Sequence, residues 1–475
     1  MDFRRHSTAR FYGGVALLCL AVARALPGAA EAPRPNVVFI LADDLGWADV
    51  GFHGSDIATP TLDALAETGA EFAQFYAQPM CTPTRAALMT GRYPFRYGLQ
   101  TAVIPSGGLY GLPTDEYLLP EALTAAGYDT AIVGKWHLGH ADPAFWPGAR
   151  GFERSYGPLI GEIDHFEHES HGVPDWYRDG QPLEEEGYDT ALFAQAAVDV
   201  IEAHDPARPL FLYLAFTAPH TPYQAPQAYL DRYAAIPDPA RRAYAGQITA
   251  MDDAIGAVVA ALDAKGLRDD TLIVFASDNG GTRSKLFAGE GAVSGELPPD
   301  NGPFRDGKGS VYEGGTRVVA LANWPGRIAP GKVEPMVHVV DMFPTLAGLA
   351  GADVAGAEGK PLDGVDVWPL LGAQASPPRS EIVYNVEPYR AAVREGDWKL
   401  VWTALLPPKA ELFDLSVDPG ETTDLSAANP EKTAELQARV LELAAESAPP
   451  TFLGELVRLG LSAAPVFPDM GGNLD

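Results

Sequence analysis

Cysteine is almost absent from this chain, with only Cys19 and Cys81 among 475 residues. Cys19 lies in an N-terminal stretch that reads as a removable leader, so the mature chain keeps Cys81 alone and forms no disulfide within itself. Positive charge is scarce too: 34 Lys and Arg face 63 Asp and Glu, a formal net charge of −29. Neutralising phosphates takes Lys and Arg, so this balance argues against nucleic acid and anionic membrane surfaces as partners. It would also repel a highly sulfated polymer unless the binding cleft is locally basic. Internal repeats and long low-complexity tracts are lacking, and 47% hydrophobic residues is the composition of a folded globular protein.

Arg4, Arg5 and Arg10 form a basic start, Val15 to Val22 a short apolar core, and Ala30-Glu31-Ala32 a cleavage-like site, together a signal peptide over residues 1–32. The apolar run is too short to span a bilayer as a helix, so the expectation is an exported protein, periplasmic or secreted, without a membrane anchor. Losing the leader removes four arginines and two acids and takes the net charge from −29 to about −31. The length exceeds one compact core of ordinary size. It predicts a large domain over 33–375 and a smaller one over 376–475, joined by a linker of small residues and proline from Gln374 to Pro378.

Four apolar runs each deliver polar residues at their C-terminal end. Asn36 to Leu41 leads to Asp43 and Asp44, Thr130 to Val133 to Lys135 and His137, Leu210 to Phe216 to His220, and Thr271 to Ala276 to Asp278 and Asn279. Such runs suit strands buried on both faces, and helical segments lie between them at Tyr117 to Ala126, Ala191 to Ala203 and Gln247 to Lys265. The alternation implies an α/β protein with a parallel sheet, whose ligands bind at the carboxyl edge of the strands. Taken singly, Asp-Asp before Gly and Asp-Asn-Gly-Gly are ordinary turn chemistry, and His220 after Pro219 a surface or capping residue. Four such ends on one rim read as a site.

Farther along, Lys308 sits between two glycines, which read as letting the backbone approach a ligand, although a flexible surface lysine explains the pattern equally well. Val337 to Ala347 reads as a core helix in which His338 and Asp341 are structural. His165, His168 and His171 have metal-like spacing, yet lie in an acidic loop and read as solvated or substrate-facing. Short antiparallel strands at Glu381 to Tyr384, Tyr389 to Val393, Trp398 to Trp402 and Glu411 to Asp414, then a helix from Pro430 to Glu446, make the small domain α+β.

The stretch around which these parts gather is Cys81-Thr82-Pro83-Thr84-Arg85, continuing to Leu88-Met89-Thr90-Gly91-Arg92. Thr82 as N-cap and Pro83 as first helical residue predict a helix beginning just after Cys81 and ending near Gly91. Cys81 then lies at the positive end of a helix dipole with Arg85 on the same side of the first turn, a nucleophile facing an anion. The stretch resembles the signature of the type I sulfatases. Leu118-Leu119-Pro120, Gly134-Lys135-Trp136-His137-Leu138-Gly139, Pro209 to Ala215 and Tyr312-Glu313-Gly314-Gly315 resemble the arylsulfatase B-like branch of that family.

The resemblance implies an alkaline-phosphatase-like catalytic domain and conversion of Cys81 to Cα-formylglycine by a formylglycine-generating enzyme. It makes Asp43, Asp44, Asp278, Asn279 and the modified residue 81 the ligands of a divalent metal. Carboxylates and an amide oxygen are hard ligands that suit Ca²⁺, with Mg²⁺ as the stricter competitor. Arg85, Lys135, His137, His220 and Lys308 match the remaining active-site positions: cations to neutralise the sulfate, His220 with Lys308 as acid, His137 as base. The implied activity is hydrolysis of aryl sulfates or sulfated sugars, including an N-acetylgalactosamine 4-sulfate type, with the loop from Gly161 to Trp176 lining the entrance. Two alternatives stay open: a phosphonate or phosphate ester hydrolase on the same scaffold, and a non-catalytic binder of sulfated glycans.

Overall fold

The structure is a computed structural model that describes residues 34–289, 295–354, 360–372, 377–404 and 407–461. The leader, the junction at 375/376 and the first three residues of the linker lie outside the described residues. The expected strands are Asn36–Ala42 (β1), Asp129–Gly134 (β2), Leu210–Ala215 (β3) and Thr271–Ser277 (β4). They lie side by side and parallel in the order β4-β1-β3-β2 at the centre of a ten-stranded sheet. Antiparallel strands enter toward both margins, such as Ala320–Asn323 beside β4.

Alternation along β1 explains why its sequence is apolar throughout. Val37, Phe39 and Leu41 enter one core cluster while Val38, Ile40 and Ala42 enter the other, so the sheet is covered on both faces. Each such large side chain contributes about 1.5–3 kcal/mol on burial. One layer contains the helix Cys81–Thr90 (α1), and the other Asp189–Ala203 (α2) and Pro239–Lys265 (α3). Helix α3 is longer than the predicted Gln247–Lys265, because Pro239 stands at its first helical position and the Asp238 carboxylate accepts from the Arg241 N–H at 2.8 Å.

Two expectations about local structure are corrected. Helix α1 begins at Cys81 itself with Met80 at the cap position. Thr82 does not cap it, since its hydroxyl donates to the His137 carbonyl at 3.1 Å and accepts from the Ile104 N–H at 3.1 Å. The expected helix from Val337 starts as a strand, Val337–His338, and becomes α-helical only at Met342. Its first residues pair with Phe75–Tyr76, and that sheet hydrogen bonding outcompetes local helix propensity. His338 and Asp341 are structural: His338 approaches Gln78 at 3.2 Å and Asp341 pairs with Arg379.

The C-terminal strands Glu381–Val386 (β5), Arg390–Glu395 (β6), Trp398–Thr403 (β7) and Lys409–Asp414 (β8) form an antiparallel meander covered by Pro430–Ala445 (α4). A buried polar knot joins this meander to the rest. Glu313 accepts from Tyr76 at 2.8 Å, Tyr384 at 2.7 Å and Lys399 at 2.9 Å, and Lys399 also pairs with Glu421 at 2.8 Å. Burial would raise the Glu313 carboxyl, but Lys399 and two arginines hold it down at about 2. Glu421 moves the other way: burial, reinforced by the Glu313 charge, outweighs Lys399 and pushes it from 4.5 up to about 7. A carboxyl raised on folding contributes stability that is complete below pH 4.5 and is lost as the pH rises through about 7. Thermal unfolding of Glu421→Gln should therefore depend less on pH across that window than the wild type. Equal pH dependence of the two proteins would refute this.

Candidate functional site

Strand register sets the site. Ala42 pairs with Ser277, Leu41 with Ala215, and Ala215 with Gly134, so the residues after all four strands emerge on one edge. Backbone hydrogen bonds continue past the ladder: Asp43 N–H to Ala218 O, Asp278 N–H to Ala42 O and Lys135 N–H to Ala215 O, at 2.8–3.0 Å. The structure brings together all ten predicted residues, each at most 6% exposed. Asp44 and His137 have φ of 66° and 58°, a left-handed backbone that non-glycine residues adopt at some cost and that marks a position held by its surroundings.

Cys81, in the first turn of α1, lies 3.4 Å from Asp43 Oδ1. Arg85 grips Asp278 Oδ2 with Nε and Nη2 at 3.2 and 2.9 Å, while its Nη1 donates to the Lys135 carbonyl at 2.8 Å. Lys135 Nζ lies 2.5 Å from Asp43 Oδ2. Lys308 Nζ lies 2.8 Å from Asp44 Oδ2 and 3.0 Å from His220 Nε2. Its glycine neighbours let this loop pack closely on the protein itself: a Cβ on Gly307 would lie 2.1 Å from the Gly281 carbonyl and one on Gly309 2.3 Å from the Phe287 ring.

Three acids and three cations thus alternate in one buried cluster. Burial pushes the Asp278 carboxyl up to about 6, aided by Asp43, against Arg85 and Lys135. Asp44 goes the opposite way, because Lys308 and His220 outweigh its burial. Burial, then Asp278, raises the Cys81 thiol well above its ordinary value, so as cysteine it stays protonated. Burial, then Lys135 and Arg85, holds His137 neutral, and burial with Lys308 lowers His220 to about 4.

The two imidazoles have opposite tautomers. A neutral His137 donates from Nε2 to the Ile104 carbonyl at 3.1 Å, which leaves Nδ1 as the proton acceptor; that atom is buried and has no hydrogen-bond partner. His220 donates from Nδ1 to the Thr221 carbonyl at 2.7 Å, so its bare Nε2 receives the Lys308 ammonium.

A cation fits this donor set. Asp43, Asp44, Cys81 and His220 each offer a ligand atom within 4.8 Å of the others. Asn279 Oδ1 is buried without a hydrogen-bond partner beside Asp44, whose Oδ1 accepts from Asn279 Nδ2 at 2.7 Å. An orphaned amide oxygen among carboxylates is the arrangement a hard divalent ion completes. The loop histidines do not converge on a metal. His165 pairs with Asp189 at 2.8 Å, His168 stacks on Trp176 with ring centres 4.1 Å apart, and His171 lines the cleft above Cys81.

Sequence reasoning left some supporting residues without a role. Thr282 donates to Asp44 Oδ2 at 2.8 Å, and Glu313 and Lys399 brace the chain around Cys81 and Lys308. A signal for Lys399 existed, a lone lysine flanked by Trp398, Leu400 and Val401 in a buried strand.

The sulfatase family model matches residues 35–352. The chain is 38% identical over 380 residues to arylsulfatase J of Mus musculus, covering 78% of this chain and 61% of that protein. It is 36% identical over 382 residues to N-acetylgalactosamine-6-sulfatase of Canis lupus familiaris, covering 75% of this chain and 70% of that one. Among solved structures, Ps i-CgsB in complex with k-i-k-neocarrahexaose superposes with a TM-score of 0.80 at 34% identity, covering 91% of this chain and 98% of that one. Relatives of the arylsulfatase J and N-acetylgalactosamine-6-sulfatase types make the arylsulfatase B-like assignment approximate.

Proposed function

The chain belongs to the sulfatase family, and from that premise we propose that it is a sulfuric ester hydrolase acting on aryl sulfates or sulfated sugars. The observation that carries this reading is the buried Cys81 at a helix N-terminus, surrounded by Arg85, Lys135, Lys308 and two neutral histidines of opposite tautomer. A module that only bound sulfate would not need the two imidazoles so arranged. The phosphonate or phosphate ester reading is not favoured, because relatives at 36–38% identity bear sulfatase names.

Cys81 acts after conversion to Cα-formylglycine, which supplies a hydrated aldehyde able to accept the sulfuryl group and then release it without a second nucleophile. With Cys81 only 1% exposed, the formylglycine-generating enzyme acts before the chain closes around it, in keeping with export to the periplasm or medium. Asp43, Asp44, Asp278, Asn279 and residue 81 are the residues that would hold Ca²⁺, and the ion would supply positive charge to the site.

The chain's own residues do the rest. Arg85 and Lys135 fix Asp278 and Asp43 from within the buried cluster and offset their charge close to Cys81. Lys308 carries the proton of the Lys308–His220 pair and, lining the cleft, is the group placed to donate one of its ammonium protons to the departing alcohol, with His220 Nε2 orienting it. His137 Nδ1 is the site that takes a proton during regeneration.

The test is kcat/KM for 4-nitrophenyl sulfate against the matching phosphate and phosphonate esters, with conversion of Cys81 verified by mass. Sulfate is expected to be preferred by orders of magnitude, and a preference for either rival on converted enzyme would refute the proposal. Chelation by EDTA should remove the activity and Ca²⁺ restore it. Full turnover after exhaustive chelation would refute the metal assignment.

A further inference from the structure

Resting on the sulfatase reading, we infer that the cleft selects sulfate esters whose leaving alcohol bears no second anion, and that Glu162 is the residue that sets this restriction. The cleft above Cys81 has a volume of about 500 Å³, with Cys81, His137, His220 and Lys308 among the residues that line it. Glu162 lines the same cleft. Its Oε1 lies 3.4 Å from the Thr221 hydroxyl, next to His220, and its charge acts on that imidazole.

The placement is enforced from both sides. A Cβ on Gly161 would lie 2.1 Å from the His137 ring, and one on Gly289 would lie 2.3 Å from Glu162 Oε1. The backbone at Gly161 therefore packs on the His137 ring and that at Gly289 on the Glu162 carboxylate, which places the carboxylate in the wall of the cleft that holds Lys308 and His220.

The rest of the mouth offers an anion nothing in return. Among the described residues lining the cleft, Lys308 is the one lysine or arginine, and it is engaged with Asp44 and His220. Glu455, from the C-terminal helix Thr451–Leu461, adds a second carboxylate to the wall, its charge offset by Arg458 at 2.7 Å. Ile104, Pro105, Phe287 and Phe452 make much of the remaining surface apolar, with His171 and Ser106 as its other polar side chains. A neutral sugar face or aryl ring fits such a wall, and carboxylates accept from its hydroxyls. A second sulfate or a carboxylate on the same ring meets like charge at the mouth of the cleft, where salt reduces the repulsion without abolishing it.

The experiment uses the converted full-length enzyme and an isosteric pair of aryl sulfates, 3-carbamoylphenyl sulfate and 3-carboxyphenyl sulfate. The amide should be preferred in kcat/KM by about tenfold or more, a discrimination built on repulsion of the wrong substrate. In Glu162→Gln the ratio should fall by about fivefold, and raising the salt concentration should narrow the wild-type ratio. The salt series decides the matter if the variant does not fold. Equal turnover of the two esters, or preference for the acid, overturns the inference and leaves the sulfatase reading standing. A ratio unchanged both by Glu162→Gln and by salt overturns the role of Glu162. Turnover of neither ester by converted enzyme overturns both readings.

Discussion

Replacing Cys81 with alanine should lower kcat/KM for 4-nitrophenyl sulfate by about 10⁴-fold or more, the loss expected when a covalent nucleophile is removed. Little else should change, because the Cys81 side chain is small and its one polar contact is the weak 3.4 Å approach to Asp43. A melting temperature close to the wild type would separate lost chemistry from lost structure. Cys81→Ser should be equally inactive in a host that cannot convert serine, although a hydroxyl remains in place. A sulfated serine has no second hydroxyl on the same carbon through which to expel sulfate. Wild-type turnover by either variant in such a host would refute the assignment of position 81.

Lys399→Ala should destabilise the protein by about 3–5 kcal/mol, the range for removing one partner of a buried ion pair. Lys399 lies inside β7 with no exposed side-chain surface, between Glu313 at 2.9 Å and Glu421 at 2.8 Å. Without it, two buried carboxylates face each other with only arginines nearby, and Glu421 binds a proton still more tightly. Glu421→Gln in the same chain should recover a substantial part of the loss, because the two residues belong to one network and their effects do not add. Additive losses in the double variant, measured by denaturant unfolding, would refute the coupling. The substitution should also lower kcat through Lys308, since the Glu313 N–H donates to Glu421 at 2.6 Å and the Gly314 N–H returns to Arg305 at 2.9 Å, across the loop that carries that lysine.

Much of the candidate site was legible in the linear chain, for a physical reason. In a parallel sheet buried on both faces each strand must be apolar throughout, so polar residues appear abruptly where the strand ends. Asp43, Lys135, His220 and Asp278 all stand at such a boundary. The four-residue spacing of Cys81 and Arg85 was likewise enough to place both on one side of a helix. Thr82 shows where local reasoning stopped. Its hydroxyl suits an N-cap, but the His137 and Ile104 backbones, 55 and 22 residues away, take it instead.

The sequence by itself determined the parallel α/β core, the antiparallel C-terminal meander and the polar residues that follow the four central strands. Those follow from periodicity and from strand ends, which are local properties of the chain. Tertiary structure alone decided which carboxylate each cation holds, which nitrogen of each histidine carries the proton, and where Glu162 and the Glu313–Lys399–Glu421 knot lie. Those outcomes depend on register between strands and on desolvation. Lys135 meets Asp43 because β1 and β2 end level with one another on either side of β3, and Lys308 reaches Asp44 from a separate loop, both in a buried cluster where a charge takes the nearest opposite charge as its partner.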